Sequence, residues 1–349
     1  MIQPMQEDIY KRDYDYEIPD ELIAKYPIKN RIDSKILLHK NMNFHIQDFS
    51  SITSLLKHDD LIVFNETKVF KARLLLYKES GSKAEIFVNK IISKYEAECL
   101  TKGLNVKKKV QTLNVGSFPL KINILDRHQN SVIIKFNQDI KNLCEKTGKV
   151  PIPPYLNREE EEIDKERYQT VFANEIHSES AAAPTASLHF DNNLYGQIKT
   201  NFNTCNINLA VGLGTFKPLS DEPINNLSKL HEEDFYISED TAKKINKQLK
   251  NNKRIVAIGT TTLRALESAW DVNTKTVTEG KKSTDIFIKE GFKFNVVDVL
   301  VTNFHLPQSS LLMLVSAFGG KELIFAAYKY AIENKLRFFS YGDAMIIER

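Results

Sequence analysis

The chain has 349 residues, 42% of them hydrophobic and 27% charged, which allows two domains with real cores and excludes a disordered chain. The formal net charge of +3 excludes a basic tail or coat but permits a local basic face. Three cysteines, Cys99, Cys144 and Cys205, are odd in number and far apart, which excludes a disulfide framework and paired zinc knuckles. Buried thiols in a reducing cytosol are the expectation. The N-terminus has no apolar core of signal-peptide type, and the longest apolar stretch, near Leu311 to Phe318, is too short to cross a bilayer. A cytoplasmic protein with no membrane contact is therefore expected, with a monomer as the default.

Pro19, Asp20 and Glu21 predict the start of a short helix that runs through Tyr26 and ends at Pro27. Asp59-Asp60 marks a turn before a buried strand, Leu61-Ile62-Val63-Phe64, bounded by Asn65. From Ala72 to Lys149 short runs such as AEIFVNKI, YEAECLT, LKINIL and SVIIKF recur between Gly, Asn, Asp and Lys. That pattern predicts an all-β module, a small barrel. After Pro151 comes an acidic run, Glu159 to Glu162, which reads as a solvated face. Strand-like INLAVGL, RIVAIG and FNVVDVLVTNF then alternate with helix-like DNNLYGQIK, SEDTAKKINKQLK, LRALESAW and SSLLMLVSAF. Such alternation predicts an α/β fold with a mainly parallel sheet covered by helices. The expected division is an α/β domain of residues 1–71 and 150–349 with a β-barrel of residues 72–149 inserted into it.

In an open α/β sheet, ligands bind beyond the carboxyl ends of the strands. After RIVAI comes Gly259-Thr260-Thr261-Thr262 and a helix, whose free N–H groups favour an anion. Arg264 sits in the first turn, where the macrodipole disfavours a cation, so it either shares an anion site or pairs with Glu267. After INLAV comes Gly212-Leu213-Gly214-Thr215-Phe216, a weak signal for close backbone approach. After VVDVLVT comes Asn303-Phe304-His305-Leu306-Pro307, with Asp298 inside the apolar strand, where an acid is expensive unless paired. SAAAPTASLHF ends in His189, and Asp191 is a helix cap. A lone histidine is usually structural, but His189, His231 and His305 all fall near predicted turns. No P-loop, metal-ligand spacing or serine-hydrolase elbow occurs.

The blocks YDYEIPDELIAKYPIKNRIDSKILL, DDLIVFNETKVFKARL, GKVPIPPYLNR, RYQTVFA, AAAPTASLHF, VGLGTF, VAIGTTTLRALES, VVDVLVTNFHLPQSSLLMLVSAF and FFSYGDAMII span nearly the whole chain. On these blocks the sequence resembles the S-adenosylmethionine:tRNA ribosyltransferase-isomerase family of queuosine biosynthesis. Glu179 and Ser187 stand where the family usually has glycine, Ala210 where it has histidine, Lys71 where it has proline, and Lys35, Lys68 and Lys217 where it has arginine. The lysines keep the charge and lose the bidentate fork. The resemblance implies an α/β domain with a small β-barrel. It also implies transfer of the ribosyl part of S-adenosylmethionine to 7-aminomethyl-7-deazaguanine at the wobble position of tRNA. That ribose becomes an epoxycyclopentane, giving epoxyqueuosine and releasing adenine and methionine. S-adenosylmethionine is then a consumed substrate, and no cofactor or metal is implied.

This chemistry needs a general base beside the sulfonium, for which Asp298, His189 and His305 are candidates. His231 or Asp343 could assist adenine departure. The turn from Gly259 to Thr262 with Arg264 suits the methionine carboxylate, and Thr215 and Asn303 suit ribose hydroxyls. Phe216 and Phe304 could stack on adenine or face the sulfonium. Lys107, Lys108 and Lys109, with Lys102, are either a tRNA contact or a solubilising loop. Two other classes compete: an RNA-binding module that consumes no cofactor, and a methyltransferase that leaves adenine attached to the sulfur product.

Overall fold

Three runs in which every residue is buried, Leu61–Asn65, Ile255–Ile258 and Val299–Asn303, form the centre of a large sheet. The computed structural model describes residues 8–116, 118–128, 131–174, 180–212 and 219–349. In chain order, β1 (Lys35–Lys40) and β2 (Asn43–Asp48) form a hairpin, and α1 (Ile52–Leu55) leads to β3 (Leu61–Asn65). Next come β4 (Arg73–Tyr77), β5 (Lys83–Ile91), β6 (Glu96–Lys102), β7 (Val110–Val115), β8 (Phe118–Arg127) and β9 (Val132–Phe136). Then follow α2 (Ile140–Thr147), α3 (Glu162–Arg167), α4 (Asn192–Asn201), β10 (Asn203–Leu209), β11 (Lys229–Ile237), α5 (Glu239–Lys250) and β12 (Ile255–Ile258). The chain ends with α6 (Thr260–Ser268), β13 (Trp270–Asp271), β14 (Thr276–Val277), β15 (Gly280–Ile286), β16 (Val299–Asn303), α7 (Ser310–Gly319), α8 (Lys321–Glu333) and β17 (Ala344–Glu348).

The sheet order is β15-β11-β10-β3-β12-β16-β17-β1-β2. Strands β10, β3, β12 and β16 run parallel, so their carboxyl ends share one edge. β17 is antiparallel to β16 and parallel to β1, which brings the start of both strands to that same edge. Among the described residues, four neighbouring pairs are parallel and four antiparallel. The sheet is therefore mixed, which corrects the expectation of a mainly parallel one. The apolar runs revealed the central strands; β2, β11 and β15 are half-exposed and carry no such run, and the short run Ile36-Leu37-Leu38 of β1 does not show its direction.

Strands β4 to β9 close into a barrel in the order β4-β5-β6-β9-β8-β7. Closure removes the sheet edges, and alternate residues such as Leu74, Ile86, Ala97, Leu120 and Ile134 fill the interior. Cys99 and Cys144 lie in this core and Cys205 in that of the sheet, all as free thiols. Burial pushes Cys144 and Cys205 up to about 12, so neither is a ready nucleophile.

Three further expectations shift. Residues 19–26 form only a short 3-10 turn over Asp20–Leu22, because Ile23 instead pairs with Phe338 and Ala24 donates to the Phe338 carbonyl. The strand expected across FNVVDVLVTNF is confined to Val299–Asn303, since the Glu267 carboxylate takes the N–H groups of Asn295, Val296 and Val297. Helix α8 was not anticipated; it follows α7 after a bend of 113° at Gly319-Gly320. No single helix among the described residues is long and apolar enough to cross a membrane.

The return from barrel to sheet passes Gly148, where an added Cβ would lie 2.0 Å from the Lys71 carbonyl oxygen and 2.5 Å from that of Cys144. Gly148→Ala should destabilise the protein by about 2 kcal/mol or more, because backbone must move. Gly196, inside α4 with nothing within 4 Å of its would-be Cβ, is the control. Gly196→Ala should be neutral or stabilise by up to about 1 kcal/mol. Urea unfolding of both variants checks this, and equal effects would contradict the packing.

Candidate active site

The shared edge opens on a cleft with about 670 Å³ of empty space. Gly259 holds φ +92°, a conformation that favours glycine, and turns the chain from β12 into α6. The first N–H groups of α6 have no intrahelical acceptor, and Thr260 and Thr261 line the cleft. Thr261 is held by Asn65 at the end of β3: Asn65 Nδ2 donates to Thr261 Oγ1 over 3.2 Å and to the Leu209 carbonyl over 3.1 Å. Asn65 Oδ1 accepts from the Leu209 N–H, so one amide joins β3, β10 and α6.

On the opposite wall, β16 delivers Thr302 and Asn303, then His305. Asn303 Nδ2 donates to His189 Nε2 at 3.1 Å and to the Phe339 carbonyl at 3.1 Å. Its Oδ1 is buried without a partner. His189 Nδ1 lies 2.8 Å from Ser34 Oγ, which itself donates to the Arg31 carbonyl. The imidazole therefore donates from Nδ1 to Ser34 and accepts at Nε2, a tautomer assigned from the network. Its ring stacks on Phe49 at 4.7 Å. His305 Nε2 meets Thr302 Oγ1 at 2.9 Å. Burial, then the charges of Arg31 and Arg337, push His189 down to about 3; burial alone pushes His305 to about 3. Both are neutral near pH 7. Tyr155 closes the cleft, its hydroxyl hydrogen-bonded to Ser340.

A family of queuosine biosynthesis proteins matches residues 11–347. The chain belongs to this family. An S-adenosylmethionine:tRNA ribosyltransferase-isomerase of Acinetobacter baylyi is 43% identical over 97% of this chain and 98% of its own length. One from Francisella philomiragia is 42% identical over 96% and 98%. A solved structure, the S-adenosylmethionine tRNA ribosyltransferase of Thermotoga maritima, is similar with a TM-score of 0.53 and 30% identity, covering 96% of this chain and 99% of that one.

Within this queuosine-family chain the cleft gathers Gly259, Thr260, Thr261, Asn303, Phe304 and His305. The Phe304 side chain and the other anticipated residues stand elsewhere. The Phe304 ring is buried against Tyr328 and Phe338, so it packs the core and is not a stacking face. Thr262 is buried and returns its hydroxyl to the Ile258 carbonyl. Asp298 lies just before β16 at the opposite edge, where its carboxylate accepts the Ile255 N–H. Asp343 is buried as a turn anchor, accepting from the Lys35 and Arg337 N–H groups. His189 abuts a second, smaller cleft and reaches the first through Asn303.

Arg264 does not pair with Glu267. Its guanidinium pairs with buried Glu233 on β11, while Glu267 caps backbone. Glu233 also accepts from the Gly212 N–H and approaches His231 Nε2 at 3.3 Å. Burial alone would raise the Glu233 carboxyl; Arg264 and then His231 overcome that and hold it at about 2. Gly212, His231 and Arg264 thus form a group around Glu233, and Ala210 and Gly212 line a third cleft, beside Asn89 and Lys90 of the barrel. Lys107, Lys108 and Lys109 are exposed on the connection from β6 to β7. Gly214, Thr215, Phe216, Glu179 and Lys217 lie outside the described residues. The sequence does not single out Asn65, Tyr155 or Glu233 as site residues: Asn65 reads only as a strand boundary, and Tyr155 lies within GKVPIPPYLNR.

Both cleft histidines titrate near 6.5 when unfolded and near 3 when folded, so the unfolded state alone binds their protons between those values. Their stabilisation is complete above pH 6.5 and is lost as pH falls toward 3, at about 1.4 kcal/mol per histidine per pH unit. His305→Gln should therefore lose stability less steeply between pH 6.5 and 5, by one histidine's share. Chemical denaturation at several pH values measures the slope, and an unchanged slope would contradict a neutral buried His305.

Proposed function

We propose that the chain is an S-adenosylmethionine:tRNA ribosyltransferase-isomerase. It moves the ribosyl part of S-adenosylmethionine onto 7-aminomethyl-7-deazaguanine at the wobble position of tRNA and releases adenine and methionine. The observation that carries this reading is one cleft holding both an unmatched helix N-terminus, at Thr260 and Thr261, and an unpartnered buried acceptor, Asn303 Oδ1. The helix end suits the methionine carboxylate. Asn303 Oδ1 suits a ribose hydroxyl, because only a donor can satisfy it.

His305 is the imidazole that lines the cleft, and its neutral form is the one able to accept a proton from the carbon beside the sulfonium. His189 acts on the cleft through Asn303. Val211, Leu311 and Phe339 supply apolar wall for the adenosyl group. S-adenosylmethionine is consumed as a substrate, and the reading calls for no metal. Exposed Lys107, Lys108 and Lys109 are offered as tRNA contacts. The protein acts in the cytoplasm as a monomer in this account.

The test supplies purified protein with S-adenosylmethionine and tRNA bearing 7-aminomethyl-7-deazaguanine, following adenine by chromatography and the nucleoside by mass. Free adenine, free methionine and a ribosyl-derived mass gain are expected. Asn303→Ala should lower kcat/KM by about tenfold or more, the loss of one hydrogen bond in a dry site. A methylated nucleoside with adenine still bound to sulfur would favour a methyltransferase. RNA binding without consumption of S-adenosylmethionine would favour a binding module.

A further inference from the structure

The second cleft shares Ser340 with the first and has about 270 Å³ of empty space. Arg31 and Arg167 line it, and Arg337 stands beside them. Among the described residues, every hydrogen bond these guanidinium groups make goes to a backbone carbonyl. Arg31 donates to the Leu188, Glu166 and Gln169 oxygens. Arg167 donates to the Ile28 and Lys29 oxygens, and Arg337 to that of Tyr26. Among the described residues, no carboxylate lies within ion-pair distance of any of the three. Elsewhere in the chain, partly or fully buried arginines are matched: Arg73 with Glu85, Arg158 with Asp164, Arg254 with Asp60 and Arg264 with Glu233.

Carbonyl dipoles orient a guanidinium but leave its charge uncancelled. Two donors also remain unused, because Arg167 Nε and Arg337 Nη1 are buried without partners. Burial and the Arg167 charge push Arg31 down to about 10, outweighing the more distant charges of Glu166 and Asp191. Asp343, in the adjoining turn, is occupied by backbone N–H groups. The far wall is rigid: Tyr341 donates to Asp164, which is held by both terminal nitrogens of Arg158. At Gly342 an added Cβ would lie 2.4 Å from the Arg337 carbonyl oxygen, so the chain must pass close there.

We infer that the cleft between Arg31, Arg167 and Arg337 is an oxyanion subsite that binds an anionic group of a substrate whose reacting part sits in the neighbouring cleft. The inference rests on the proposed reaction for the identity of that substrate. Guanidinium forks match both a carboxylate and a phosphodiester. The two available sources are a backbone phosphate of the tRNA, with the methionine carboxylate of S-adenosylmethionine at the α6 N-terminus, and that carboxylate itself, taken up here in place of the α6 site. Because Ser340 and the pair His189–Asn303 join the clefts, one bound substrate can reach both.

The test measures tRNA affinity against potassium chloride concentration, and S-adenosylmethionine affinity by calorimetry, for the full chain and its Arg167→Gln and Arg167→Lys variants. If the anion is a phosphate, Arg167→Gln lowers the slope of log affinity on log salt by about 0.7 to 0.9. Arg167→Lys then keeps the slope. If the anion is the carboxylate, Arg167→Gln weakens S-adenosylmethionine about tenfold or more and leaves the tRNA slope alone. Either result supports the subsite and names its source. Should Arg167→Gln lose its cooperative melting transition, Arg337→Gln carries the same measurement. A folded variant that binds both substrates as the parent does overturns the inference. Adenine release by the parent protein in the same preparation keeps the two readings apart: turnover with unaffected variants removes only the subsite, and absent turnover removes the reaction.

Discussion

A buried hydrogen-bond chain, Ser34 to His189 to Asn303, holds the functional edge together. It links the segment before β1, the turn after Ala183 and the end of β16, which are remote in sequence. Each polar group in it is buried, so each must find a partner or destabilise the fold. The chain satisfies them in sequence and leaves one acceptor, Asn303 Oδ1, buried without a partner on a residue that lines the cleft. The imidazole thus serves as a neutral connector: burial and the nearby arginines that push its pKa down suit it to accepting from Asn303, not to carrying charge.

The topology supplies the rest. Parallel β10, β3, β12 and β16 all end at this edge, while β17 and β1 begin there. A helix N-terminus, an asparagine pair at strand ends and an arginine cluster are therefore neighbours. Asn65 plays toward α6 the part that His189 plays toward β16. Glu233 and Arg264 bind the antiparallel strand β11, second from the edge, to α6 through a buried ion pair. Removing either partner would leave the other's charge stranded in the interior.

The central strands and the barrel were legible because their apolar patterns are dictated by burial, on both faces for the former and alternately for the latter. That polar groups after β12 and β16 gather at one edge followed from the same reasoning and from glycine at the turn. The mixed direction of the sheet was not legible, because half-buried strands such as β11 look alike in either direction. Asp298 read as a costly buried acid, but a one-dimensional sequence does not show that the Ile255 N–H lies opposite it. Arg264 in α6 asks for an anion by its place in the first turn, but a partner 31 residues away on strand β11, Glu233, is not visible in the order of residues. The same holds for Phe304, whose core role depends on Tyr328 and Phe338. Among the departures from the family pattern, Ala210 lines the third cleft and so does not alter the first, while Ser187 is buried with its hydroxyl unpartnered.

The central claim is that His189 acts on the cleft through Asn303 and not as a reacting group. A kinetic double-mutant cycle tests it, with kcat/KM measured for His189→Phe, Asn303→Ala and the pair together. His189→Phe keeps a ring against Phe49 and removes both hydrogen bonds. The account predicts that the double variant is no slower than Asn303→Ala alone, since one unit has been broken twice. Multiplying losses would contradict it and give His189 a role of its own in the reaction.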